Sequence, residues 1–115
     1  MDIGIGRPIT LDSRFSDHDQ PVLLTGIQAL LRLLLEQRVL DQAAGLNTAA
    51  LVSGYRGSPL GALDRELWLQ KKLMAAHDIR FEPGVNEDLA ATMLQGTQQI
   101  DAFPGARVDG VYGMW

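Results

Sequence analysis

Apolar residues after Thr25 recur at helical spacing and form one broad face: Ile27, Leu30, Leu31, Leu34 and Leu35. Polar residues fill the opposite stripe, so the pattern predicts an amphipathic core helix that runs to about Val39. Thr25 and Gln28 stand three positions apart, which is the spacing of a capping box. The helix is therefore predicted to begin directly after Thr25.

Three segments of predicted strand follow this helix: the apolar run 49–52, residues 78–82, and residues from about 106 to 115. A second helix is predicted after Ser58 and Pro59, with Ser58 as its cap. A third is predicted after Asn86, to about Ile100. With an extended segment at 22–24 before the first helix, strands and helices alternate. This order predicts an α/β fold in which helices flank a parallel sheet.

The chain divides into a polar, irregular arm over residues 1–20 and one domain over residues 21–115. The last predicted strand carries Tyr112, Met114 and Trp115, with no turn after it. Such an apolar strand is expected to pack beneath a following element. The sequence is therefore predicted to be the front part of a longer protein, with its domain incomplete at the C-terminal end.

Composition narrows the function classes. The chain has 115 residues, 46% of them apolar, and a net charge of −4 without a basic patch, which argues against nucleic acid as a partner. It has no cysteine, so it forms no disulfide and holds no iron–sulfur cluster or zinc–thiolate site. The N-terminus lacks a signal-peptide pattern and no apolar stretch is long enough to span a bilayer. A cytoplasmic location without membrane contact is the expectation.

Two strand-to-helix junctions carry the candidate chemistry. One is the glycine-rich loop 54–61 with Ser58, and the other is the run Asn86, Glu87 and Asp88. Because the carboxyl ends of parallel strands meet at one edge of a sheet, both junctions are expected at the edge where ligands bind. Local pattern alone favours simpler interpretations: a tight turn, and acidic residues that stabilise a first helical turn by about 0.3–1 kcal/mol.

Several other residues are expected to support the fold and not to take part in catalysis or binding. Asp64 near the start of the second helix and His77 near its end follow the charge order that the helix dipole favours. The run Asp17-His18-Asp19 lacks a residue that would complete a metal site, so a solvated loop is the better interpretation. Gly96 inside the third helix suggests a close helix contact at that point.

Four segments together closely resemble the N-terminal region of the indolepyruvate ferredoxin oxidoreductase family: LLTGIQALLRL, AGLNTAALVSGYRGSPLGALD, FEPGVNEDLAATMLQGTQQ and FPGARVDGVYGMW. The likeness covers about residues 11–115 and is strongest to the long, single-chain members. It implies the pyrimidine-binding domain of a thiamine-diphosphate-dependent 2-oxoacid:ferredoxin oxidoreductase. Such an enzyme converts a 2-oxoacid oxidatively to an acyl-CoA and carbon dioxide, with electrons passed to ferredoxin.

The resemblance also implies roles for particular residues. Glu87 matches the catalytic glutamate that hydrogen-bonds a ring nitrogen of the cofactor's aminopyrimidine. Ser58 matches the hydroxyl near the carboxylate of the 2-oxoacid, and Arg56 beside it is assigned to the substrate as well. Tyr55 and Gly57 of the same loop are assigned to the cofactor. Arg56 stands where many relatives have proline.

By the same resemblance, magnesium and iron–sulfur clusters belong to other domains, and this segment binds no metal. The implied partners are the remaining domains of the same polypeptide, ferredoxin, coenzyme A and the 2-oxoacid, with a homodimer as the full-length state. A non-catalytic assembly domain of the same fold is the first alternative, against which Glu87 argues. A Rossmann-like nucleotide binder is disfavoured because Gly54, Gly57 and Gly61 do not have its spacing. A flavodoxin-like carrier is less favoured still.

Overall fold

The structure is a computed structural model that describes residues 10, 11, 13–16 and 18–115. Its elements are α1 (Ser13–Ser16), α2 (Gly26–Ala43), β1 (Thr48–Val52), α3 (Gly61–Leu69), α4 (Lys71–Ala76), β2 (Ile79–Phe81), α5 (Glu87–Thr97), a 3-10 helix (Ile100–Ala102) and β3 (Gly110–Met114). The strands form one sheet in the order β2–β1–β3, and both pairings are parallel. The predicted α/β class, a parallel sheet flanked by helices, is confirmed.

The predicted capping box at the start of α2 is present. The Gln28 amide donates to Thr25 Oγ1 at 3.2 Å, and the Thr25 amide donates to Gln28 Oε1 at 3.0 Å. At the other end the helix continues past Val39 to Ala43. The residues after Val39 still suit a helix, and no glycine interrupts them before Gly45.

Gly45 ends α2 in a left-handed conformation, with φ of +80°. The Gly45 amide donates to Gln42 O at 3.0 Å, and the Leu46 amide donates to Asp41 O at 2.9 Å. This pair of bonds is a Schellman motif, which satisfies carbonyls that the helix leaves unpaired and favours glycine at the left-handed position. The chain then enters β1.

The two faces of the sheet are covered differently. Ala50 and Val52 of β1 are buried in the main core, which they share with residues of α2, α3, α4 and β2: Leu31, Leu34, Leu35, Leu63, Leu67, Met74 and Ile79. Because side chains alternate along a strand, Leu51 points to the other face. There α5 packs on β3, where Leu94 occupies the space that a side chain at Gly113 would need. This close contact involves Gly113. A Cβ at Gly96 would meet no atom of another described element within 4 Å, so the contact predicted at Gly96 is wrong.

The prediction that Ser58 caps the second helix is also wrong. The helix starts at Gly61, and its N-cap residue Leu60 makes no side-chain cap bond. Two consecutive turns precede it: the Ser58 amide donates to Tyr55 O at 3.0 Å, and the Gly61 amide donates to Ser58 O at 3.1 Å. The backbone of Ser58 thus closes the loop, and its side chain does not cap the helix.

Other boundaries also differ from the prediction. The second predicted helix is divided into α3 and α4 at Gln70, the third ends at Thr97, and the last strand starts at Gly110. Residues 22–24 do not join the sheet, and the arm contains the short helix α1.

Asp17, which the sequence analysis considered as part of a metal site, lies outside the described residues. Among the helices that the structure describes, none is long and apolar enough to cross a membrane.

A polar network joins the elements at the amino edge of the sheet. Arg38 of α2 is buried and donates through Nη2 to Asn47 Oδ1 at 3.0 Å and to Asp78 Oδ2 at 2.9 Å. The Asn47 amide donates to Asp109 Oδ2 at 2.7 Å. We refer to Arg38, Asn47, Asp78 and Asp109 as the amino-edge network. It connects helix α2 to the residues that precede all three strands.

Two groups outside the sheet's carboxyl edge have shifted pKa values. Burial, with a further effect of the Asp41 carboxylate, raises the pKa of Tyr112 to about 12, and its hydroxyl donates to Leu34 O at 2.8 Å. The pKa of Glu36 is lowered, first by its hydrogen bond with His18 at 2.9 Å and also by Arg32. His18 thus ties the arm to α2.

Candidate functional site

The two predicted junctions meet at the carboxyl edge of the sheet. The loop after β1 and the loop after β2 are joined directly, because the Gly84 amide donates to Gly54 O at 2.7 Å. Two residues earlier on each segment, the Glu82 amide donates to Val52 O at 2.9 Å and extends the pairing of the strands. The sequence-based expectation that both junctions share this edge is confirmed.

Gly84 allows this close approach. A Cβ at residue 84 would lie 2.9 Å from Ala90 Cβ and 3.2 Å from Asn86 O, both parts of the capped start of α5. Such distances are too short for side-chain or backbone atoms that cannot move away. Glycine at this position therefore lets the start of α5 come close to the end of β1.

Between the junctions lies a cavity of about 600 Å³. We refer to it as the carboxyl-edge cavity. Its wall is mainly apolar, and elements from both sides of the sheet contribute to it: Leu30, Pro59, Leu60, Leu63, Phe81, Ala90, Met114 and Trp115. Ser58 and Glu87, which the sequence placed on separate junctions, both line this cavity. An apolar cavity with a few polar groups is the usual form of a small-molecule site.

Glu87 is the first residue of α5, and its side chain is exposed at the cavity rim. The predicted cap is present, because the Leu89 amide donates to Asn86 Oδ1 at 2.9 Å. Asp88 follows in the same helical turn and is also exposed, but it is not a lining residue. The cap thus fixes the start of the helix, where Glu87 belongs to the cavity lining and Asp88 does not.

Tyr55 and Gly57 act as a pair in the first loop. The Tyr55 side chain lines the cavity, and its ring lies where a Cβ on Gly57 would be. Gly57 itself is not a lining residue. Its part is indirect: the absence of a side chain makes room for the Tyr55 ring.

Arg56 lies apart from the other predicted site residues. Its Nε donates to Asp64 Oδ2 at 3.1 Å, and its side chain is 82% exposed. It lines a neighbouring surface groove with Arg65 and Trp68, not the carboxyl-edge cavity. The structure thus brings Ser58, Tyr55 and Glu87 together and leaves the Arg56 guanidinium on the other side of Asp64.

Sequence reasoning missed two polar lining residues, Ser53 and Asp64. Ser53 is fully buried and Asp64 is 7% exposed, and both belong to the cavity wall. Ser53 Oγ and Asp64 Oδ1 are buried without a hydrogen-bond partner among the described residues. The position of Ser53 directly after β1 could have indicated it, because that is where parallel sheets present ligand contacts. Asp64 was interpreted only as a helix-dipole charge.

In the described part of the chain, no three His, Asp or Glu side chains are placed so that together they could hold a metal ion. His18 contacts Glu36 and Arg32. His77, taken as a helix-end charge, is the C-cap residue of α4, and its Nδ1 lies 2.9 Å from Leu73 O. That position agrees with the structural interpretation of His77.

A scan against protein-family models, a search of curated proteins and a search of solved structures each returned no match to this chain. The resemblance to the indolepyruvate ferredoxin oxidoreductase family therefore remains a prediction from the four sequence segments.

Proposed function

We propose that this chain is the pyrimidine-binding region of a thiamine-diphosphate-dependent 2-oxoacid:ferredoxin oxidoreductase of the indolepyruvate type. The observation that carries the proposal is the meeting of Ser58 and Glu87 at one cavity. The resemblance assigns complementary roles to these two residues, one toward the substrate and one toward the cofactor. They lie 29 positions apart in the chain, yet they line the same apolar cavity at the carboxyl edge of the sheet.

The cavity is suitable for one aromatic ring of the cofactor. Its wall is apolar, with Phe81, Met114 and Trp115 contributing at the strand ends. Ser53 and Asp64 also belong to this wall, and Ser53 Oγ and Asp64 Oδ1 are buried without a hydrogen-bond partner among the described residues. Apolar walls with a few oriented polar groups bind and orient flat heterocycles.

In the proposed function, bound thiamine diphosphate supplies the nucleophilic carbon for decarboxylation of the 2-oxoacid. Glu87 would hydrogen-bond a nitrogen of the aminopyrimidine ring and share a proton with it. Glu87 is exposed at the cavity rim, so a ring that enters the cavity can reach this side chain and then cover it. A proton held between carboxyl oxygen and ring nitrogen sets the tautomer of the ring, which is a general acid–base role.

Ser58 would donate its hydroxyl hydrogen to the carboxylate of the 2-oxoacid. Arg56 would reach the same anion only after leaving Asp64, since its guanidinium is now paired outside the cavity. The chain has no cysteine, so iron–sulfur clusters, like magnesium, would belong to other domains of the polypeptide. Ferredoxin, coenzyme A and homodimer formation are part of the same proposal.

The decisive test is Glu87→Gln in the polypeptide that carries this chain at its natural length. Glutamine keeps the shape and a hydrogen-bonding group but cannot share an acidic proton. We expect hydrogen–deuterium exchange at the thiazolium carbon of bound cofactor to slow by about 10²-fold or more, the usual range for acid–base groups. The thermal melt should change little.

Asp88→Asn is the matched control, because it removes the same charge from the same helical turn. It should change only stability, by about 0.3–1 kcal/mol. Exchange at the wild-type rate in Glu87→Gln would contradict the catalytic role and favour the alternative, a non-catalytic assembly domain of the same fold.

A further inference from the structure

We propose that the surface around Trp68 binds an acidic segment of a partner protein, with an apolar side chain of that segment beside the indole ring. Two grooves meet there, because Trp68 lines both of them. One, of about 770 Å³, extends along α4 and β2, and the other, of about 500 Å³, lies beside α3. We refer to the two grooves together as the Trp68 surface. Neither is the carboxyl-edge cavity, so the inference goes beyond the proposed function and does not rest on it.

The centre of this surface is apolar and accessible. Trp68 is 47% exposed and Leu69 is 64% exposed, although both are large apolar side chains. The Trp68 ring packs edge to face with the ring of Phe81, and their centroids are 5.8 Å apart. The indole is therefore held in place while about half of its residue stays open. Tryptophan is one of the residue types enriched at the energetic centres of protein interfaces.

Cations surround this apolar centre. Arg56 and Arg65 line one groove, and Lys71, Lys72 and Arg80 line the other. These are five of the ten lysines and arginines in a chain whose net charge is −4. Arg65, Lys71 and Lys72 are exposed and form no ion pair with another described residue. The fold thus gathers positive charge that no single run of the sequence contains.

The carboxylates that line the two grooves are already paired. Asp64 and Asp78 each bind an arginine, at 3.1 and 2.9 Å. Beside the surface, Glu82 pairs with Arg80, and Glu66 of α3 lines neither groove. The three cations without a carboxylate partner therefore attract acidic groups of another molecule. Such complementary charge increases the rate of association and fixes the orientation of a partner.

The order of these residues defines the kind of segment that fits. Trp68, Leu69 and Lys72 follow Arg65 by three, four and seven positions, which is the spacing of one helical face. Along this face of α3 and the start of α4, a cation, two apolar side chains and a second cation follow one another. The matching segment has an apolar or aromatic centre flanked by carboxylates.

The same features disfavour a nucleic acid at this surface. A long polyanion would extend beyond the five cations and be repelled by the rest of the chain, which carries the excess of negative charge. A short acidic segment can remain within the cationic region. Its apolar centre would also cover Trp68 and Leu69, which phosphate contacts alone would leave exposed.

The test is binding of fluorescein-labelled hexapeptides to the polypeptide that carries this chain at its natural length. The probe EEFLEE has an apolar centre with flanking carboxylates, whereas KKFLKK reverses its charges and EESSEE removes its apolar centre. Fluorescence anisotropy gives the three Kd values. We expect EEFLEE to bind more tightly than either analogue by about tenfold or more, because each exposed ion pair contributes up to about fivefold and the apolar centre contributes further.

Substitutions locate the contact. Trp68→Ala should weaken binding of EEFLEE by about tenfold or more, since central interface side chains carry much of the affinity. Lys72→Glu should weaken it by about fivefold or more, because an attraction becomes a repulsion. Arg107→Glu is the matched control. It makes the same reversal of charge at an exposed residue that lines neither groove, so the Kd should change by about twofold at most.

Several results would overturn the inference. They are a wild-type protein that does not bind EEFLEE, equal affinity for EEFLEE and either analogue, and an unchanged affinity in Trp68→Ala. Equal losses in Lys72→Glu and Arg107→Glu would show general charge attraction, with the same consequence. If Trp68→Ala does not fold, Leu69→Ser at the same surface replaces it, with the same expected loss. Tighter binding of a thymidine hexanucleotide than of EEFLEE would assign the surface to nucleic acid and contradict the inference.

Discussion

The two edges of the sheet differ in the number of hydrogen bonds that their polar side chains form. At the amino edge, Arg38, Asn47, Asp78 and Asp109 hydrogen-bond one another or the nearby backbone. At the carboxyl edge, the hydroxyl of Ser53 and one oxygen of Asp64 are buried beside a cavity without partners among the described residues.

The difference indicates that the amino edge contributes more to the stability of the fold than the carboxyl edge does. A hydrogen bond formed within the protein stabilises the folded state, whereas a buried polar atom without a partner destabilises it by about 1–3 kcal/mol. Arg38 also keeps two buried nitrogens without partners in the described structure, but it does not line the carboxyl-edge cavity.

The largest effect on stability is expected from a substitution in the amino-edge network. Arg38→Gln removes the bond to the Asp78 carboxylate and should lower the free energy of unfolding by about 1.5–3 kcal/mol, the range for hydrogen bonds to charged groups. Denaturant unfolding measures it. Arg80→Gln is the control, because Arg80 pairs with Glu82 at the surface and is 79% exposed. That pair should contribute at most about 1 kcal/mol. Equal losses in both variants would contradict the structural role of the amino edge.

A smaller effect is expected from closing the space between the junctions. In Gly84→Ala the new Cβ would be 2.9 Å from Ala90 Cβ, so α5 or the loop must shift. Overpacking of this kind costs about 1–3 kcal/mol. Gly96→Ala is the matched control, since a Cβ there meets no atom within 4 Å and alanine favours a helix by up to about 1 kcal/mol. The thermal melts of the two variants should therefore move in opposite directions, and a stabilised Gly84→Ala protein would show that the close approach is unnecessary.

The smallest expected effect compares one hydroxyl from each edge. Ser53→Ala removes a buried hydroxyl without a partner and should leave the free energy of unfolding unchanged or raise it by about 1 kcal/mol. Thr48→Val removes a hydroxyl that donates to Asp41 Oδ2 and should lower it by about 1 kcal/mol. Chemical denaturation of both variants under one set of conditions is the measurement. A loss in Ser53→Ala as large as that in Thr48→Val would remove the distinction between the edges.

Local sequence signals located most elements of the fold. Helix α2 begins where the Thr25 and Gln28 capping box placed it, and α5 begins after Asn86, because both caps consist of bonds between residues three positions apart. By contrast, the predicted start of the second helix was wrong. Ser58 and Pro59 belong to two consecutive turns, which backbone hydrogen bonds close without the Ser58 side chain.

The sequence by itself determined the alternation of strands and helices, and with it the parallel sheet whose carboxyl edge holds both junctions. Apolar periodicity and caps act over a few residues, so they can be identified without a fold. Only the tertiary structure decided that Asp64 separates Arg56 from the cavity and that Gly84 and Gly113 provide close contacts. It also decided that the Ser53 hydroxyl is buried without a hydrogen-bond partner among the described residues. These features depend on which residues from distant parts of the chain meet. No local pattern specifies such meetings, because packing in three dimensions determines them.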